Sequence, residues 1–237
     1  MSCIQFDSID STHLFAKRER HRFSPKDFTW ISAEEQTAGQ GQHGRSWYSP
    51  RGVNLYFTLY FQMPPSSSIS LACIAQLMSW SVAAICLQHT LSPLFKWPND
   101  LLFSYKKFCG VLAEIEGHDI FVSAGINVNM ECALLPLMDQ PITSLFLETG
   151  QLWDRPLLLQ EVQIQFATDF DRFLEEGFAP FATSIHSILA YRHKTVRIID
   201  QGVEHIGTIH TIAPDGRLCL LLPDHTQKWL SSGRIHV

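Results

Sequence analysis

The chain has 237 residues, of which 46% are hydrophobic and 17% are charged, and its formal net charge is -5 at pH 7. These values are typical of a globular protein with one sizeable domain, or with one domain and a small appendage. Because the charge balance is mildly acidic and no block of lysine and arginine occurs, composition argues against a nucleic-acid partner.

The cysteines are scattered, and no CxxC or Cys/His pair has the spacing of metal ligands. We therefore expect no metal held by the protein alone, and most thiols to be free, buried small hydrophobes, as suits a cytoplasmic protein. Residues 1–13 lack the basic start and apolar run of a signal peptide. The six cysteines are Cys3, Cys73, Cys86, Cys109, Cys132 and Cys219.

The first third of the chain is predicted to alternate strands and helices. A strand over 1–6 precedes a helix that begins near Ser11, and 29–35 reads as a second strand. Residues 54–61 alternate between two sets of side chains, which indicates a third strand with two different faces. A loop then leads into a helix over 69–88.

The most apolar long segment is 71–87, and it is shorter than the ~20 residues that a membrane span needs. Its apolar side chains recur at helical spacing, which predicts a helix facing the core rather than a membrane anchor. We therefore expect no membrane partner. The recurring residues are Ile74, Leu77, Met78, Val82 and Ile85.

Three strand-like runs follow closely, over 93–100, 107–117 and 119–129. Short polar turns at 104–106 and 117–118 join them, which predicts an antiparallel meander. The next segment is irregular over 130–142. A long helix is predicted from near Asp154 to Gly177, and a shorter one over 180–191.

After Tyr191 the chain changes to short strand-like runs separated by turns, including the tight turn Pro-Asp-Gly at 214–216. This predicts a small β-barrel appended to the main domain, with a boundary between 1–191 and 192–237. The runs are 194–200, 204–213, 217–222 and 227–237.

Three glycines within the stretch TAGQGQHGRSW could let backbone N–H groups form an anion-holding concavity closed by Arg45. A flexible surface loop or hairpin turn is the alternative, and glycine spacing alone favours it. The glycines are Gly39, Gly41 and Gly44.

Three further short motifs have equally plain alternatives when each is taken alone. KWPND at 96–100 reads as a turn beside a snorkelling lysine, and KKFCGVLAE at 106–114 as a basic turn leading into a strand. AGINVN at 124–129 reads as a strand end with local asparagine hydrogen bonds. Gly110, inside a strand, points to a bulge or to a ligand against the backbone.

In this order and spacing, however, the motifs resemble those of the biotin protein ligases (biotin–[acetyl-CoA carboxylase] ligase) over about residues 4 to 130. The resemblance implies an α+β fold, with a mixed, mainly antiparallel sheet flanked by helices in a class II synthetase-like catalytic domain and a small C-terminal SH3-like barrel. It also implies ATP-dependent transfer of biotin, through biotinyl-5′-adenylate, to a lysine of the biotin carboxyl carrier domain of acetyl-CoA carboxylase. The motifs are DST (10–12), Gln36, GxGxxGRxW (39–47), SPRGVNLYFT (49–58), KWPND (96–100), KFCGVLAE (107–114) and GINVN (125–129).

The resemblance assigns the biotin ring to the start of the first helix and to the glutamine before the glycine loop. His13 stands where relatives commonly have asparagine, and its imidazole can still donate and accept a hydrogen bond. The glycine loop is expected to fold over biotin, and Lys107 to contact the biotin carboxylate and the α-phosphate. The implied biotin-binding residues are Ser11, Thr12, His13, Gln36, Gly39, Gln40, Gly41, Gln42, Lys107 and Gly110.

On the nucleotide side, Trp47 is expected to pack near the adenine, and Mg²⁺ to be held mainly by phosphate oxygens and water. Asp100 is the candidate to accept the proton of the carrier lysine, because a free lysine is almost fully protonated at pH 7. The implied ATP-binding residues are Gly44, Arg45, Trp47, Asn99 and Asn127, and the implied catalytic residues are Lys107, Arg45 and Asp100.

Two departures from the family pattern bear on the phosphates. Gln40 and Gln42 stand where the family loop has arginines, so we expect weaker ATP binding or faster loss of the adenylate; the alternative is that glutamine amides and backbone N–H groups suffice. Arg234 follows Gly233 where many relatives have Gly-Glu, so no residue of the barrel is included in the predicted site.

Three alternatives remain. The first is a lipoate or octanoate ligase or transferase on a related fold, and the second is a non-catalytic protein that binds biotin or its adenylate. The third, a DNA-binding repressor, is disfavoured because the chain begins almost at once with the predicted catalytic domain. A homodimer is possible through sheet edges such as 111–115.

Overall fold

The computed structural model describes residues 1–63, 70–131 and 140–236. Its main sheet has seven strands in the spatial order β1-β2-β3-β7-β6-β5-β4. These strands, β1 to β7, are Ser2–Phe6, Thr29–Ala33, Leu55–Gln62, Leu94–Lys96, Asp100–Phe103, Lys106–Glu116 and Asp119–Ile126. The helices, α1 to α5, are Thr12–Glu19, Leu71–Gln88, Leu145–Thr149, Arg155–Glu176 and Ala179–Ser187.

Among the strands of the described residues, only β1 and β2 pair in parallel, and the other strand pairs of this sheet are antiparallel. The predicted mixed, mainly antiparallel sheet with flanking helices is therefore confirmed, including the meander of β5, β6 and β7. The prediction of one strand over 93–100 is wrong, because residues 97–99 form a turn that separates β4 from β5. The peptide bond between Trp97 and Pro98 in that turn is cis.

The sheet is covered on both faces. On one face, β3 packs Leu55, Phe57 and Leu59 into the large core beneath α2 and α4. On the other, Tyr56, Thr58 and Tyr60 are also buried, because α1 crosses β3 and β7 there. The alternation of β3 thus separates two buried faces, and the polar group of Thr58 lies on the α1 side.

Helix α2 is long and apolar enough to cross a membrane by composition, with a mean hydropathy of 1.6 over 18 residues, but 72% of it is buried inside the protein. Its predicted apolar face is buried, as expected of a core helix. Helix α4 begins after Asp154, whose carboxylate accepts a hydrogen bond from Leu157 N, and it ends at Gly177 as predicted. The buried residues of the predicted α2 face are Ile74, Leu77, Met78, Val82 and Ile85.

Several boundaries differ from those predicted. Helix α5 ends at Ser187 rather than near 191, and α3, which ends at the left-handed Gly150, was not predicted at all. The predicted irregular segment over 130–142 lies largely outside the described residues. Four of the cysteines are buried, whereas Cys3 is exposed and Cys132 lies outside the described residues. Burial raises the pKa of Cys73 to about 11 and that of Cys86 to about 12.

The C-terminal residues form a second, entirely antiparallel sheet in the order β11-β10-β9-β8-β12. The predicted turn at 214–216 joins β9 to β10, and the single run predicted over 227–237 is in fact two strands. The domain boundary at 191/192 stays a prediction. Strands β8 to β12 are Thr195–Asp200, Val203–Ile212, Leu218–Leu221, Gln227–Leu230 and Arg234–His236.

Hydrogen bonds to one backbone carbonyl tie the second sheet to the main domain. The carbonyl of Gly216 accepts from Trp97 Nε1 at 3.1 Å and from Gln76 Nε2 at 2.8 Å. Both donors are buried, and Cys73 Sγ contacts the neighbouring carbonyl of Asp215. The tryptophan of KWPND therefore anchors the β9–β10 turn against α2.

Candidate functional site

A cavity of about 440 Å³ lies among the start of α1, the glycine loop, and strands β3, β6 and β7. Every residue of the predicted site lines it except Gly39 and Gly44, which belong to a neighbouring surface depression. The structure therefore brings the separate sequence motifs to one place, and the roles of the individual residues stay predictions. Those lining it are Ser11, Thr12, His13, Gln36, Gln40, Gly41, Gln42, Arg45, Trp47, Asn99, Asp100, Lys107, Gly110 and Asn127.

The glycine loop is a closed hairpin. Trp47 N donates to Gly39 O at 2.8 Å, and Gly41 N donates to Arg45 O at 2.7 Å. Gly44 has the left-handed φ of +71°, and a Cβ on Gly39 would meet Trp47 O at 2.5 Å. Gly39 and Gly44 thus shape the hairpin rather than line the cavity, and the anion-holding role of the loop stays a prediction.

Trp47 lies against two paired glycines. Gly110 of β6 is opposite Gly125 of β7, and the indole covers both. A Cβ on Gly125 would lie 2.3 Å from Trp47 Cε2, and one on Gly110 would lie 2.9 Å from Trp47 Cζ3. The indole Nε1 is buried and has no hydrogen-bond partner among the described residues. Glycine at both positions is what lets a flat ring approach the strand backbone.

Lys107 and Asp100 form a close ion pair in the cavity wall. The two atoms, Lys107 Nζ and Asp100 Oδ1, are 2.6 Å apart, and both side chains are largely buried. The Lys107 ammonium also lies 5.1 Å from the centre of the Trp47 ring. Neighbouring Lys106 is exposed, so of the two lysines only Lys107 reaches the cavity.

A chain of uncharged hydrogen-bonding groups forms the other side of the cavity. Gln36 Oε1 accepts from Thr12 N at 2.9 Å and from Thr12 Oγ1 at 3.1 Å. Thr58 Oγ1 donates to Thr12 Oγ1 and also lies 2.8 Å from Ser123 Oγ. Ser123 Oγ is in turn 2.7 Å from His13 Nδ1. We call these five residues the hydroxyl network.

His13 is almost wholly buried, and burial lowers its pKa, although the nearby Glu114 carboxylate, an acceptor for the imidazole N–H, opposes that shift. Its Nε2 lies 3.3 Å from Glu114 Oε2, close enough for an ion pair but too poorly aligned to count as a good hydrogen bond. The imidazole is thus kept neutral within the network. Ser11, beside it, caps α1 by accepting from Leu14 N.

Two asparagines on the nucleotide side of the predicted site are fixed by backbone carbonyls. Asn127 Nδ2 donates to Thr143 O at 3.0 Å, and Asn99 Nδ2 donates to Val111 O. Each bond uses the amide nitrogen and leaves the side-chain oxygen available to a ligand.

Charge distinguishes the cavity from the rest of the chain. Arg45, Lys107 and Arg234 line it together with a single carboxylate, Asp100, so its described lining carries a net charge of +2. The whole chain carries -5. An acidic protein that gathers positive charge in one cavity is suited to an anionic ligand. The described residues contain no cluster of three or more His, Cys, Asp or Glu that could hold a metal ion.

Sequence reasoning missed several lining residues. Gly125 had a usable signal, because a meander turning at 117–118 places it opposite Gly110. Arg234 had none, because only tertiary packing brings β12 to the cavity. The other missed residues are Ser46, Tyr48, Phe57, Val111, Leu112, Ser123, Ala124, Met130, Gln140 and Ile142.

One strand edge next to the cavity is open. Strand β5 pairs with β6 only over residues 106–110, so 112–116 have no partner strand on that side among the described residues. This overlaps the segment 111–115 that was considered for a dimer, and the dimer stays a prediction.

Comparison with known proteins places these features in a family. The Biotin/lipoate A/B protein ligase family matches residues 5–130. The bifunctional ligase/repressor BirA of Salmonella typhimurium is 28% identical over 211 residues, which cover 84% of this chain and 63% of that protein. This chain therefore spans less than two thirds of that relative's length. The biotin–[acetyl-CoA-carboxylase] ligase of Paracoccus denitrificans is 30% identical over 161 residues, covering 64% of this chain and 66% of that one.

A solved structure agrees over nearly the whole chain. The biotin protein ligase from Aquifex aeolicus in complex with biotin and ATP is 28% identical, with a TM-score of 0.86, and the match covers 99% of this chain and 97% of that one. Because the family match spans more than half of the residues, the chain belongs to the biotin/lipoate A/B protein ligase family.

Proposed function

We propose that this chain is an ATP-dependent biotin ligase, which joins biotin to ATP and then transfers it to a carrier lysine. The observation that carries the proposal is the Lys107–Asp100 pair in a cavity with net positive charge, beside the paired Gly110 and Gly125, which we call the glycine floor. The Aquifex relative, whose fold this chain shares, was solved with biotin and ATP.

In the first step, an oxygen of the biotin carboxylate attacks the α-phosphorus of ATP. The new O–P bond gives biotinyl-5′-adenylate, and the bond to pyrophosphate breaks. Two anions must meet for this step, and negative charge grows as pyrophosphate leaves. Lys107, held in place by Asp100 and against Trp47, stabilises that charge better in the transition state than in the separated reactants.

In the second step, the amine of the carrier lysine attacks the adenylate carbonyl, and AMP leaves. The amine must first lose a proton, because lysine has an ordinary pKa near ~10.4. Asp100 is the carboxylate of the described cavity lining, and we assign it the acceptance of that proton. Its ion pair with Lys107 also makes it a positioning residue for the first step.

The donor set around the cavity suits Mg²⁺ bound through ATP. The carboxylate of Asp100 and the amide oxygens of Asn99 and Asn127 are hard oxygen donors, and they are too few to enclose the ion. Phosphate oxygens and water would complete its coordination, and the ion would neutralise phosphate charge. The protein side chains would contact it directly or through water.

The acceptor that we propose is the biotin carboxyl carrier domain of acetyl-CoA carboxylase, in the cytoplasm. The name of the Paracoccus relative supports this choice of acceptor. The open edge of β6 at 112–116 borders the cavity and offers backbone groups to a carrier strand or to a second copy of the chain.

A lipoate ligase is the second candidate, because the family includes both activities. The hydroxyl network favours biotin, since a ureido ring needs donors and acceptors in a buried place, whereas a dithiolane ring offers few. Thermal stabilisation by biotin and not by lipoate is the expected result. Stabilisation by lipoate alone would reverse the assignment.

Biotin-dependent exchange of labelled pyrophosphate into ATP tests the reaction itself. We expect exchange in the wild type and a loss of at least about 100-fold in Lys107→Ala, because a preorganised charge at the reacting phosphate is removed. Lys106→Ala is the matched control, since that neighbouring side chain is exposed. If the folded wild type binds biotin but shows no exchange, the protein is a non-catalytic biotin-binding protein.

A further inference from the structure

Arg234 lines the same cavity as Arg45 and Lys107, although it comes from the second sheet. It is the first residue of β12, and its side chain is exposed. Its backbone is held by pairing with Ile199 of β8. Gly233 precedes it with a φ of +143°, where a Cβ would lie 2.6 Å from Ile198 Cγ2. The close turn at Gly233 therefore directs the chain into β12.

Buried hydrogen bonds hold the second sheet against the main domain, next to the cavity. The Gly216 carbonyl binds Trp97 Nε1 and Gln76 Nε2. Trp97 lies within the same short motif as Asn99 and Asp100, which line the cavity. Arg234 is thus carried on a sheet that is anchored beside the nucleotide side of the site.

The glycine loop contributes little positive charge toward the phosphates of ATP. Gln40 and Gln42 line the cavity as neutral side chains. Lys107 is largely neutralised by Asp100, at 2.6 Å. Arg45 alone is therefore the loop's own cation toward four negative charges on ATP, and Arg234 is the remaining cation in the described lining.

The three lining cations belong to one cavity, and Lys96 next to it responds to their charges. Burial is the main cause that lowers the pKa of Lys96, Asp100 opposes it, and the charges of Lys107, Arg234 and Arg45 lower it further. Lys96 lies opposite Asp100 in the backbone register of β4 and β5. Cations from β4, β6, the glycine loop and β12 thus act on one another in and beside the cavity. A bound polyphosphate would neutralise part of this positive charge.

We propose that Arg234 binds the β- and γ-phosphates of ATP and replaces, from the second sheet, the charge that Gln40 and Gln42 do not supply. This inference rests on the proposed function, because it assigns part of the same nucleotide site. A guanidinium binds phosphate through several N–H groups, which makes arginine suited to the end of a triphosphate.

Calorimetric titration of the biotin-saturated full-length chain with ATP, inorganic pyrophosphate and AMP tests the proposal. For Arg234→Gln we expect about 10-fold weaker binding of ATP and of pyrophosphate, and unchanged binding of AMP and biotin. Arg197→Gln is the matched control, because Arg197 is an exposed arginine on the neighbouring strand β8 and does not line the cavity. Equal thermal midpoints of the two variants verify folding.

A second pair of variants tests whether Arg234 and the loop serve the same anion. Gln42→Arg should tighten ATP binding and slow release of the adenylate in the wild type. Its gain should be larger in the Arg234→Gln background, where it restores most of the lost affinity. Equal gains in both backgrounds would mean that the two positions act on different groups.

The outcomes separate this inference from the proposed function. If the wild type binds neither ATP nor pyrophosphate, both proposals fail together. If it binds ATP and exchanges pyrophosphate, but Arg234→Gln binds ATP as Arg197→Gln does, only the role of Arg234 is wrong. Equal weakening of AMP and ATP would also overturn the assignment to the β- and γ-phosphates.

Discussion

The cavity has two sides that are built from different chemistry. Around β3 and β7, the hydroxyl network is uncharged, buried and already hydrogen-bonded within the protein. Around β5, β6 and β12, the side chains are charged, and the described lining has three cations against one carboxylate. The first side is largely hydrogen-bonded without a ligand, with His13 Nε2 left without a partner among the described residues, whereas the second has a net positive charge that an anion would neutralise.

Because of this difference, substitutions on the uncharged side should affect the stability of the fold, whereas substitutions on the charged side should affect ligand binding and catalysis. Removing a group from the hydroxyl network leaves buried partners unpaired, so the cost falls on folding as well as binding. Removing a cation from the other side leaves less repulsion in the free protein, so the cost falls on ligand binding and catalysis. Substitutions on the two sides should therefore have different signatures in unfolding and in kinetics.

The largest effect should come from the carboxylate on the charged side. Asp100→Asn keeps the shape of the side chain but cannot accept a proton, so transfer from purified biotinyl-adenylate to a carrier domain should slow by about 100-fold or more. Single-turnover transfer measures it, with Asp171→Asn, exposed on α4, as the control. Slower adenylation with an unchanged transfer rate would assign Asp100 to positioning Lys107 alone.

The glycine floor lies between the two sides and should be nearly as sensitive. Gly125→Ala places a Cβ 2.3 Å from Trp47 Cε2, so the indole must move, and kcat/KM for ATP in pyrophosphate exchange should fall by about 100-fold. Gly41→Ala in the loop adds a Cβ whose nearest atom, Arg45 O, is 3.4 Å away, which is an ordinary contact distance. This substitution should lower kcat/KM a few-fold at most. Similar losses in both variants would contradict the distinction between floor and loop.

On the uncharged side, Thr58→Val should destabilise the fold. Its hydroxyl is fully buried between Thr12 and Ser123, and losing it should lower the free energy of unfolding by about 1–3 kcal/mol. Urea unfolding measures the change. The same substitution at exposed Thr195 should stay within about 0.5 kcal/mol. Unchanged stability with lost activity would mean that the network is not preformed.

The smallest effect concerns pH. Because burial lowers the pKa of His13 below its ordinary 6.5, the unfolded chain takes up a proton there first as pH falls. The free energy of unfolding should therefore be fully present above pH 6.5 and decrease below it, by at most about 1.4 kcal/mol per pH unit from this residue.

His13→Asn should make that decrease shallower between pH 6.5 and the lowered folded-state value. Urea unfolding at several pH values compares it with the wild type and with His118→Asn, an exposed turn residue. An unaltered slope in His13→Asn would show that the imidazole is not held neutral by the fold.

Local patterns predicted most of the fold. The alternation of β3, the helical spacing of α2 and the caps of α4 are set by neighbours in sequence, so their elements were found. The turn in KWPND was predicted, but the strands on its two sides were taken as one run, because a three-residue strand gives too short an apolar pattern to separate from its hairpin partner. Helix α3 is only five residues long and failed for the same reason.

The candidate site was predicted through motifs, and the omissions have a physical cause. Ser123 and Thr58 lie inside otherwise apolar strands, and their meaning appears only when three strands and α1 bring the hydroxyls together. Arg234 is more than a hundred residues from Lys107 and meets the cavity through the packing of two sheets. No local pattern carries that information.

The backbone carbonyl of Gly216, which accepts two hydrogen bonds, also influences how the protein unfolds. Trp97 and Gln76 are buried donors on the main domain, and both depend on one carbonyl of the second sheet. Detaching that sheet would break both hydrogen bonds, each with a net contribution of about 0.5–1.5 kcal/mol. The two sheets are therefore coupled into one cooperative unit, and a ligand that stabilises either one raises the melting temperature of both.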